Sequence, residues 1–568
     1  MSLLAVVLLN VAVQFMHLRL DLTQDKRHTL STTTKQLCHS LNDHVEVVVY
    51  LQGSVNSGFM QLENATRNIL KEMSLSGNLT YRFVNPNDLS DSQQQALIQS
   101  LQRHNLHPAA IYETAGNAQR SETIVYPFAL VRKATPQNSS NLYSGKWVSL
   151  LENRRDLSGA ENLNRSAESL EYKFALALRT LEQQQPDRIL FLEGQGELPE
   201  QNTQDVQSLL AQHFDIYRGA LTPESDCLNS FSAVIIADPQ LPFSEADKYI
   251  LDQYLMQGGS LLWLVNGVRF SEQVLEDEGF TPALALDVNL TDMLFRYGVR
   301  INPHLLQDLQ CLSVPVDVSR NADQPQWQPM PWTYAPLLQS PPETWNLKPE
   351  TWNLKPETWN PSPVTRNLSP VSATFCSDLT AVGDDPDIRH NILLASSQHS
   401  RITLVPGEVN LGEISQDPRL FNLSYLPVAM SLEGRFHSLF EHRLTPESVV
   451  QKGDKLTVST QAKQIVVASG SVISNDLQQG QPLPAGYDRY SRMQFANRDF
   501  VLNSVLWLSG YADILSLRQK TIPLRMLNKT QLQSGLTLSV TLSLILPLLI
   551  LAIAGVTVQL LRKHRYTS

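Results

Sequence analysis

The chain alternates between two kinds of hydrophobic pattern. Val45, Val47, Val49 and Leu51 are spaced by two, which predicts a strand. Phe59, Leu62, Thr66, Ile69, Leu70 and Met73 then fall on one face of a helix. Tyr81 and Phe83 begin another strand before Asn85-Pro86, and Ile124, Tyr126, Phe128 and Leu130 alternate again after a hairpin around Gly116-Asn117. Leu163, Ala167, Leu170, Phe174, Ala177, Leu178 and Leu181 keep helical spacing until Pro186 closes the segment. Beyond it the strands become continuously apolar: Arg188 to Leu192, Ala233 to Ala237 and Ser260 to Val265. Helices are expected between them, one from about Thr203 to Phe214. The other is capped by Ser244, carries Ala246, Ile250, Tyr254 and Leu255 on its apolar face, and ends at Gly258-Gly259. Continuously apolar strands separated by helices predict a parallel sheet covered on both faces. Further on, Ile392 to Leu394, Ile402 to Leu404 and Ile465 to Val467 read as strands, and Phe495 to Leu508 as a helix.

Two stretches break these patterns. From Ser313 to Pro370 proline is frequent, and Pro-Glu-Thr-Trp-Asn recurs at Pro342, Pro349 and Pro356. A proline every seventh residue excludes a helical heptad, because each ring removes a backbone donor and clashes with the preceding turn. The repeat is either a tandem duplication in a tolerant loop or a recognition loop presenting Trp345, Trp352 and Trp359. Leu536 to Leu561 carries no charge, and Arg562, Lys563 and Arg565 follow. That length suits a membrane-spanning helix, which Pro547 would bend without excluding. Met1 to Leu18 is also uncharged but lacks the basic start and small-residue cleavage site of a signal peptide. It is read as an anchor helix that can extend upstream of Met1. Two spans put both termini on one side of the membrane, and the basic tail marks that side as cytoplasmic.

The expected organisation follows: an anchor at 1–18, a linker at 19–40, a small thioredoxin-like α/β unit at 41–135 and a connecting segment with an amphipathic helix at 136–186. A parallel α/β unit spans 187–312, the Pro-rich insertion 313–370, and a continuation of the α/β region 371–530. The terminal span at 536–561 and a basic tail at 562–568 complete it.

At 568 residues, 42% hydrophobic and 18% charged, the chain is long enough for several cores and is not disordered. The net charge of −10 argues against general nucleic-acid binding. Four cysteines exclude a disulfide scaffold. In an oxidising compartment Cys38, Cys227, Cys311 and Cys376 could be either bridged or buried thiols. There is no P-loop, no His-Glu-x-x-His pair, no Cys-x-x-Cys and no Gly-x-Ser-x-Gly elbow. His104 with His107, and His437 with His442, lack metal-ligand spacing or neighbours, so no metal or cofactor is expected. Ligands of parallel sheets lie beyond the carboxyl ends of the strands. Those positions hold Glu193, Gln195 and Glu197 after the first strand, Asp238 after the second and Asn266 after the third. They outline a polar cleft, although loop residues capping helices would give the same pattern.

Several motifs in order carry a resemblance. Leu20-Asp-Leu-Thr-Gln-Asp-Lys-Arg-His-Thr-Leu-Ser31, Asn162-Leu-Asn-Arg-Ser166 with Leu170-Glu-Tyr172, and Leu255 to Val265 are followed by Leu432-Glu-Gly-Arg-Phe-His-Ser-Leu-Phe440, Gly486-Tyr-Asp488 and Phe495 to Asn503. Together with the terminal helix they resemble the gliding-motility ABC transporter auxiliary proteins of the GldG type over nearly the whole chain. The resemblance implies an inner-membrane protein with a large periplasmic body, partnered by an ABC permease and a separate cytoplasmic ATPase. It also implies that the central unit is similar to non-catalytic relatives of class I glutamine amidotransferases. The cysteine nucleophile of those enzymes would follow Ser260–Val265, where this chain has Asn266-Gly267, and attack requires a thiolate. A thioredoxin redox pair would fall at Gly53 to Phe59, where there is no cysteine. The chain departs from the family in its short first span and in the heptads, which split Ser340-Pro341 from Pro363-Val-Thr-Arg-Asn-Leu368. It also has Ser469-Gly-Ser471 where relatives tend to carry acidic residues. The expectation is a non-enzymatic auxiliary component; the rival readings are a periplasmic solute-binding protein using the cleft, and a hydrolase or amidotransferase-like enzyme.

Overall fold

The computed structural model describes residues 29–53, 56–104, 106–115, 119–134, 143–152, 154, 157–183, 185–317, 326–341, 362–383, 385–410, 417–519 and 545–559. The first anchor, the Gly116-Asn117 turn and the three Pro-Glu-Thr-Trp-Asn repeats lie outside the described residues. Residues 1–520 form one compact unit and 521–568 a second.

In the larger unit the first helix among the described residues is α1, Thr32–His39, within the stretch expected to be linker. Ser31 caps it by accepting a hydrogen bond from Thr34 N, and Leu30, Leu37, Cys38 and Leu41 are buried. Those four apolar side chains were masked in the sequence by the surrounding threonines. The first sheet comprises β1 (Val45–Val49), β2 (Leu79–Phe83), β5 (Phe128–Lys133) and β6 (Lys146–Ser149), in the order β2-β1-β5-β6. β1 is parallel to β2, while β5 runs antiparallel to both β1 and β6. Helix α2, Ser57–Ser76, makes the β1–β2 crossover, α3 is Asp91–Arg103, and β3 (Ala109–Ala115) and β4 (Gln119–Val125) form the expected hairpin. Strand alternation divides the packing. Val45, Val47 and Val49 join Leu62, Leu70 and Met73 in one core, while Val48 and Tyr50 join Leu97 and Leu101 of α3 in another. Helix α4, Gly159–Glu182, packs on α2 and β6 and continues the larger core into the next sheet.

That sheet has seven strands. β7 (Arg188–Glu193), β8 (Asp215–Ala220), β9 (Ala233–Ala237) and β10 (Ser260–Leu264) are followed, after a long insertion, by β11 (Ile388–Ala395), β12 (Pro427–His437) and β13 (Val458–Val467). The order is β11-β12-β13-β10-β9-β7-β8. The last five in that order are mutually parallel, whereas β12 is antiparallel to β13 and β11 to β12. Helix α5, Glu200–Leu210, links β7 to β8, and α6, Glu245–Met256, links β9 to β10. The two crossovers travel in opposite directions along the sheet, so right-handed connections place α5 and α6 on opposite faces. Helix α7, Asn497–Leu508, packs against α5. Ser244 caps α6 in a reciprocal capping box with Asp247, and Gly258, at φ +93°, follows the helix end.

Between β10 and β11 the chain builds short antiparallel strands around a separate apolar cluster containing Val268, Leu305, Trp332, Tyr334 and Phe375. Here Cys311–Asp317 pairs with Trp327–Leu338, so the Pro-rich stretch opens as a β-ribbon rather than as loop. Pro315 faces Pro329, and Ser313 faces Pro331, in the part of a three-stranded sheet where these two strands pair only with each other, so a missing N–H can point away from the partner.

In the smaller unit, 545–559 is helical and every one of its side chains is exposed. The rest of the expected C-terminal span lies outside the described residues. Among the described residues no helix is long and apolar enough to cross a membrane.

Candidate functional site

The direction of the crossovers along the sheet reverses between β7 and β9, since β8 lies outward of β7 and β10 inward of β9. The carboxyl ends of the strands at such a switch point form the usual crevice of an open sheet. The five residues singled out from the sequence all lie there, in two groups.

Glu193 ends β7, where its Oε1 accepts a 2.7 Å bond from Arg218 Nε on β8. The same guanidinium donates to Leu198 O and Thr203 Oγ1, so Arg218 ties the β7–α5 turn to the sheet edge. Gln195 N donates to Glu197 Oε2 at 2.8 Å, and Gln195 O accepts from the backbone of Gln240 and Leu241. Burial pushes the Glu197 carboxyl above its ordinary range against the lowering effect of the backbone N–H groups around it.

Asp238 and Asn266 form the second group. Asn266 Nδ2 donates to Asp238 Oδ1 at 2.7 Å, and Asn266 Oδ1 accepts from Gly470 N at 2.9 Å. One amide therefore ties together the ends of β9, β10 and β13. The approach is close enough that a Cβ on Gly470 would lie 2.3 Å from Asp238 Cβ and Cγ. The position expected for a nucleophile in an amidotransferase-like enzyme is thus held by an amide whose two polar atoms are engaged within the chain.

A cavity opens one residue beyond this tie, at Ser471. It measures about 210 Å³ and is lined by Ser471, Thr374, Trp332, Tyr487, Tyr490 and Asn497, among others, but by none of the five predicted residues. Two of the sequence motifs meet at its floor. Gly486 has φ +77°, and a Cβ there would stand 2.4 Å from Asn497 Oδ1. Asn497, 1% exposed, bonds through both side-chain polar atoms to Ser372 and also donates to Val472 O. The Gly486-Tyr-Asp488 turn and the start of α7 are therefore one packed feature, which accounts for glycine and asparagine in these two motifs. Trp332 was missed by sequence reasoning: it lies in the Pro-rich stretch, and its ring meets Phe375 from a segment distant in sequence as well as Tyr334 of its own strand. A second cavity, of about 610 Å³, is lined by Gln310, Ser340, Ser397, His399 and Tyr425, among others.

The motifs also explain a contact far from the sheet edge. Glu171 of the Leu170-Glu-Tyr172 motif is 6% exposed and accepts from Ser31 N at 2.7 Å and Thr34 Oγ1 at 2.8 Å, pinning α1 to α4. All four cysteines are free, and Cys38 and Cys376 are buried. Among the described residues no group of histidine, cysteine and carboxylate side chains is arranged to hold a metal ion.

Fold and site together describe a mixed α/β protein in which the strand-end turn is braced by internal hydrogen bonds. The family model described as ABC-type uncharacterized transport system matches residues 186–504, more than half of the chain, and the chain belongs to that family. A domain of unknown function, DUF7088, matches residues 24–132. No curated protein matches the chain. A solved structure titled "mmIFT52 N-terminal domain" is similar at 15% identity and a TM-score of 0.31, covering 57% of this chain and 98% of its own.

Proposed function

We propose that this chain is a non-enzymatic, membrane-anchored auxiliary component of an ABC transport system, in the branch serving gliding motility or export. Its body lies in the periplasm, both termini lie in the cytoplasm, and it works beside a permease and a separate ATPase. The observation that carries the reading is the family match across the whole seven-stranded sheet unit. The exposed apolar helix 545–559 supports the anchor, because Ile545, Leu546, Leu549, Ile550 and Leu551 are each at least half exposed and lipid would cover them. The engaged amide of Asn266 supports a role without covalent catalysis. The β2-β1-β5-β6 order supports a thioredoxin-like first unit. The open parallel sheet supports kinship of the second unit with glutamine amidotransferase relatives.

In this reading ATP hydrolysis by the partner is felt through the docked helices. Affinity purification of the full-length chain from native membranes tests it. Recovery of a permease and an ATPase in fixed ratio is expected; a chain recovered alone, or released by alkaline carbonate, overturns it. The second reading, a solute-binding role, draws support from the cavity beside Ser471.

A further inference from the structure

Three motifs that stand far apart in the sequence meet at one turn of α4. The motif ending at Ser31 arrives through its last residue: Ser31 N donates to Glu171 Oε1 at 2.7 Å, and Thr34 Oγ1 donates to the same oxygen at 2.8 Å. The Leu170-Glu-Tyr172 motif supplies the seat itself, with Leu170 wholly buried beneath it. The Phe495-to-Asn503 motif clamps the chain as it leaves. Asp499 and Asn503 accept from the Arg518 guanidinium at 3.0 and 2.6 Å, and that guanidinium lies 4.7 Å from the centre of the Tyr172 ring. Asn367 Nδ2 donates to Arg518 O at 3.1 Å. Glu171 and Tyr172 are sequence neighbours, about 100° apart around the helix axis. Helix α1 and the Ser516–Gln519 turn therefore sit on adjacent faces of one turn of α4, and both contact that helix.

The two contacts are unequal. Glu171 receives two donors from the α1 side. Tyr172 is 4% exposed, yet its hydroxyl has no hydrogen-bond partner among the described residues. A buried hydroxyl without a partner favours an open state in which water reaches it. The Ser516–Gln519 turn is accordingly the weaker of the two contacts. Helix α4 also packs on α2, on β6 and on the Ala512–Leu515 helix, and its side chains belong to the core that continues into the seven-stranded sheet. A displacement of this turn is thus shared by the entering segment, the leaving segment and the body between them.

We propose that the Glu171–Tyr172 turn is a coupling joint: the segment that follows the first uncharged stretch and the segment that precedes the second dock on it together, the C-terminal one opens first, and its release loosens α1. The purpose of the joint rests on the two-anchor reading, in which a movement delivered at one end of the body is passed to the other. The test is hydrogen exchange, read by mass spectrometry, on the full-length chain in lipid nanodiscs. Arg518→Met keeps the apolar stem and removes the charge. It should speed exchange in 512–519 and, by about five-fold or more, in α1. Glu171→Ala should speed α1 and also 512–519, because coupling between two sites is reciprocal. β9 and β10 should exchange as in the parent. Tyr172→Phe deletes only the unpaired hydroxyl and keeps the ring beside Arg518, so it retains the fold and carries the test if another variant does not fold. It should slow exchange in both segments. Acceleration confined to the altered segment overturns the joint. So does acceleration that reaches β9 and β10, or a Tyr172→Phe chain whose α1 exchanges as in the parent. Uptake into the discs is scored separately: a chain that stays outside them overturns the two-anchor reading, and the joint is then tested by the same exchange measurement on that chain in detergent.

Discussion

Removing the Asn266 amide is the most direct test of how the strand ends are held. In Asn266→Ala, Asp238 loses a 2.7 Å donor and the buried Gly470 N–H loses its acceptor at 2.9 Å. An unsatisfied buried N–H costs about 1–3 kcal/mol, and a hydrogen bond to a charged group contributes about 1.5–3 kcal/mol when shielded. Asp238 is only partly buried, so the lower half of the second range applies. The expected destabilisation is about 2.5–5 kcal/mol. At roughly 2 °C per kcal/mol for a large cooperative unit, the unfolding midpoint should fall by about 5–10 °C.

Urea denaturation of the variant, of Asp238→Ala and of the double variant completes a cycle that isolates the pair, with a coupling of about 1–2 kcal/mol expected. Asn266→Asp preserves shape but sets a second carboxylate against Asp238. It should be as damaging as alanine near neutrality and recover as the pH falls through the carboxylate range. A midpoint change below about 2 °C, or a coupling indistinguishable from zero, would refute the claim that this amide braces the sheet end.

Other substitutions probe neighbouring parts of the same argument. Gly470→Ala should cost about 1–3 kcal/mol by overpacking on Asp238, and adding Asp238→Gly, at a position with φ +56°, should recover part of it in a thermal melt. Glu171→Ala strips the acceptor from Ser31 N and Thr34 Oγ1 and should cost about 2–3 kcal/mol; amide exchange in α1 should speed up, with Glu171→Gln much milder. Burial holds His390 below its usual range while it donates to Gly298 O, and burial with Lys146 nearby depresses His213 to about 4. Burial disfavours the proton on both in the folded chain, so unfolding below about pH 6.5 takes protons up. Their contribution is therefore intact above about pH 6.5 and is lost as pH falls toward their folded values. The midpoint should drop between pH 7 and pH 5, and the drop should shrink in His390→Gln.

Much of the fold was visible where the physics is local. Ser244 and Asp247 announce the start of α6 because a capping box needs only four consecutive residues. β7, β9 and β10 are almost wholly buried on both faces, so each reads as an unbroken apolar run. β13 was recognised as a strand but not as the neighbour of β10, since Leu262 and Ile465 pair across 200 residues and nothing local encodes it. The ribbon at Trp327–Leu338 was hidden by its own composition, because prolines that exclude a central strand are tolerated on a ribbon. Thr32–His39 was hidden too: its buried face is short, and half of its anchorage is the side chain of Glu171 from another helix.

The same contrast applies at the strand ends. The five residues chosen by the strand-end rule lie at or just beyond the carboxyl ends of β7, β9 and β10. The rule cannot say which strand end stays open, because that depends on which strand occupies the sheet beside β10. β13 fills that place, and its terminal turn supplies both the backbone N–H that occupies Asn266 and the Ser471 that lines the cavity. Asp238 and Asn266 are therefore tied to that turn, while the walls of the cavity beside it are formed by other residues, Trp332, Tyr487 and Tyr490 among them. The two sets should separate experimentally. Changes at Asp238 or Asn266 should lower stability first and weaken binding only through the displaced turn. Tyr490→Ala should weaken binding in a chain that melts like the parent.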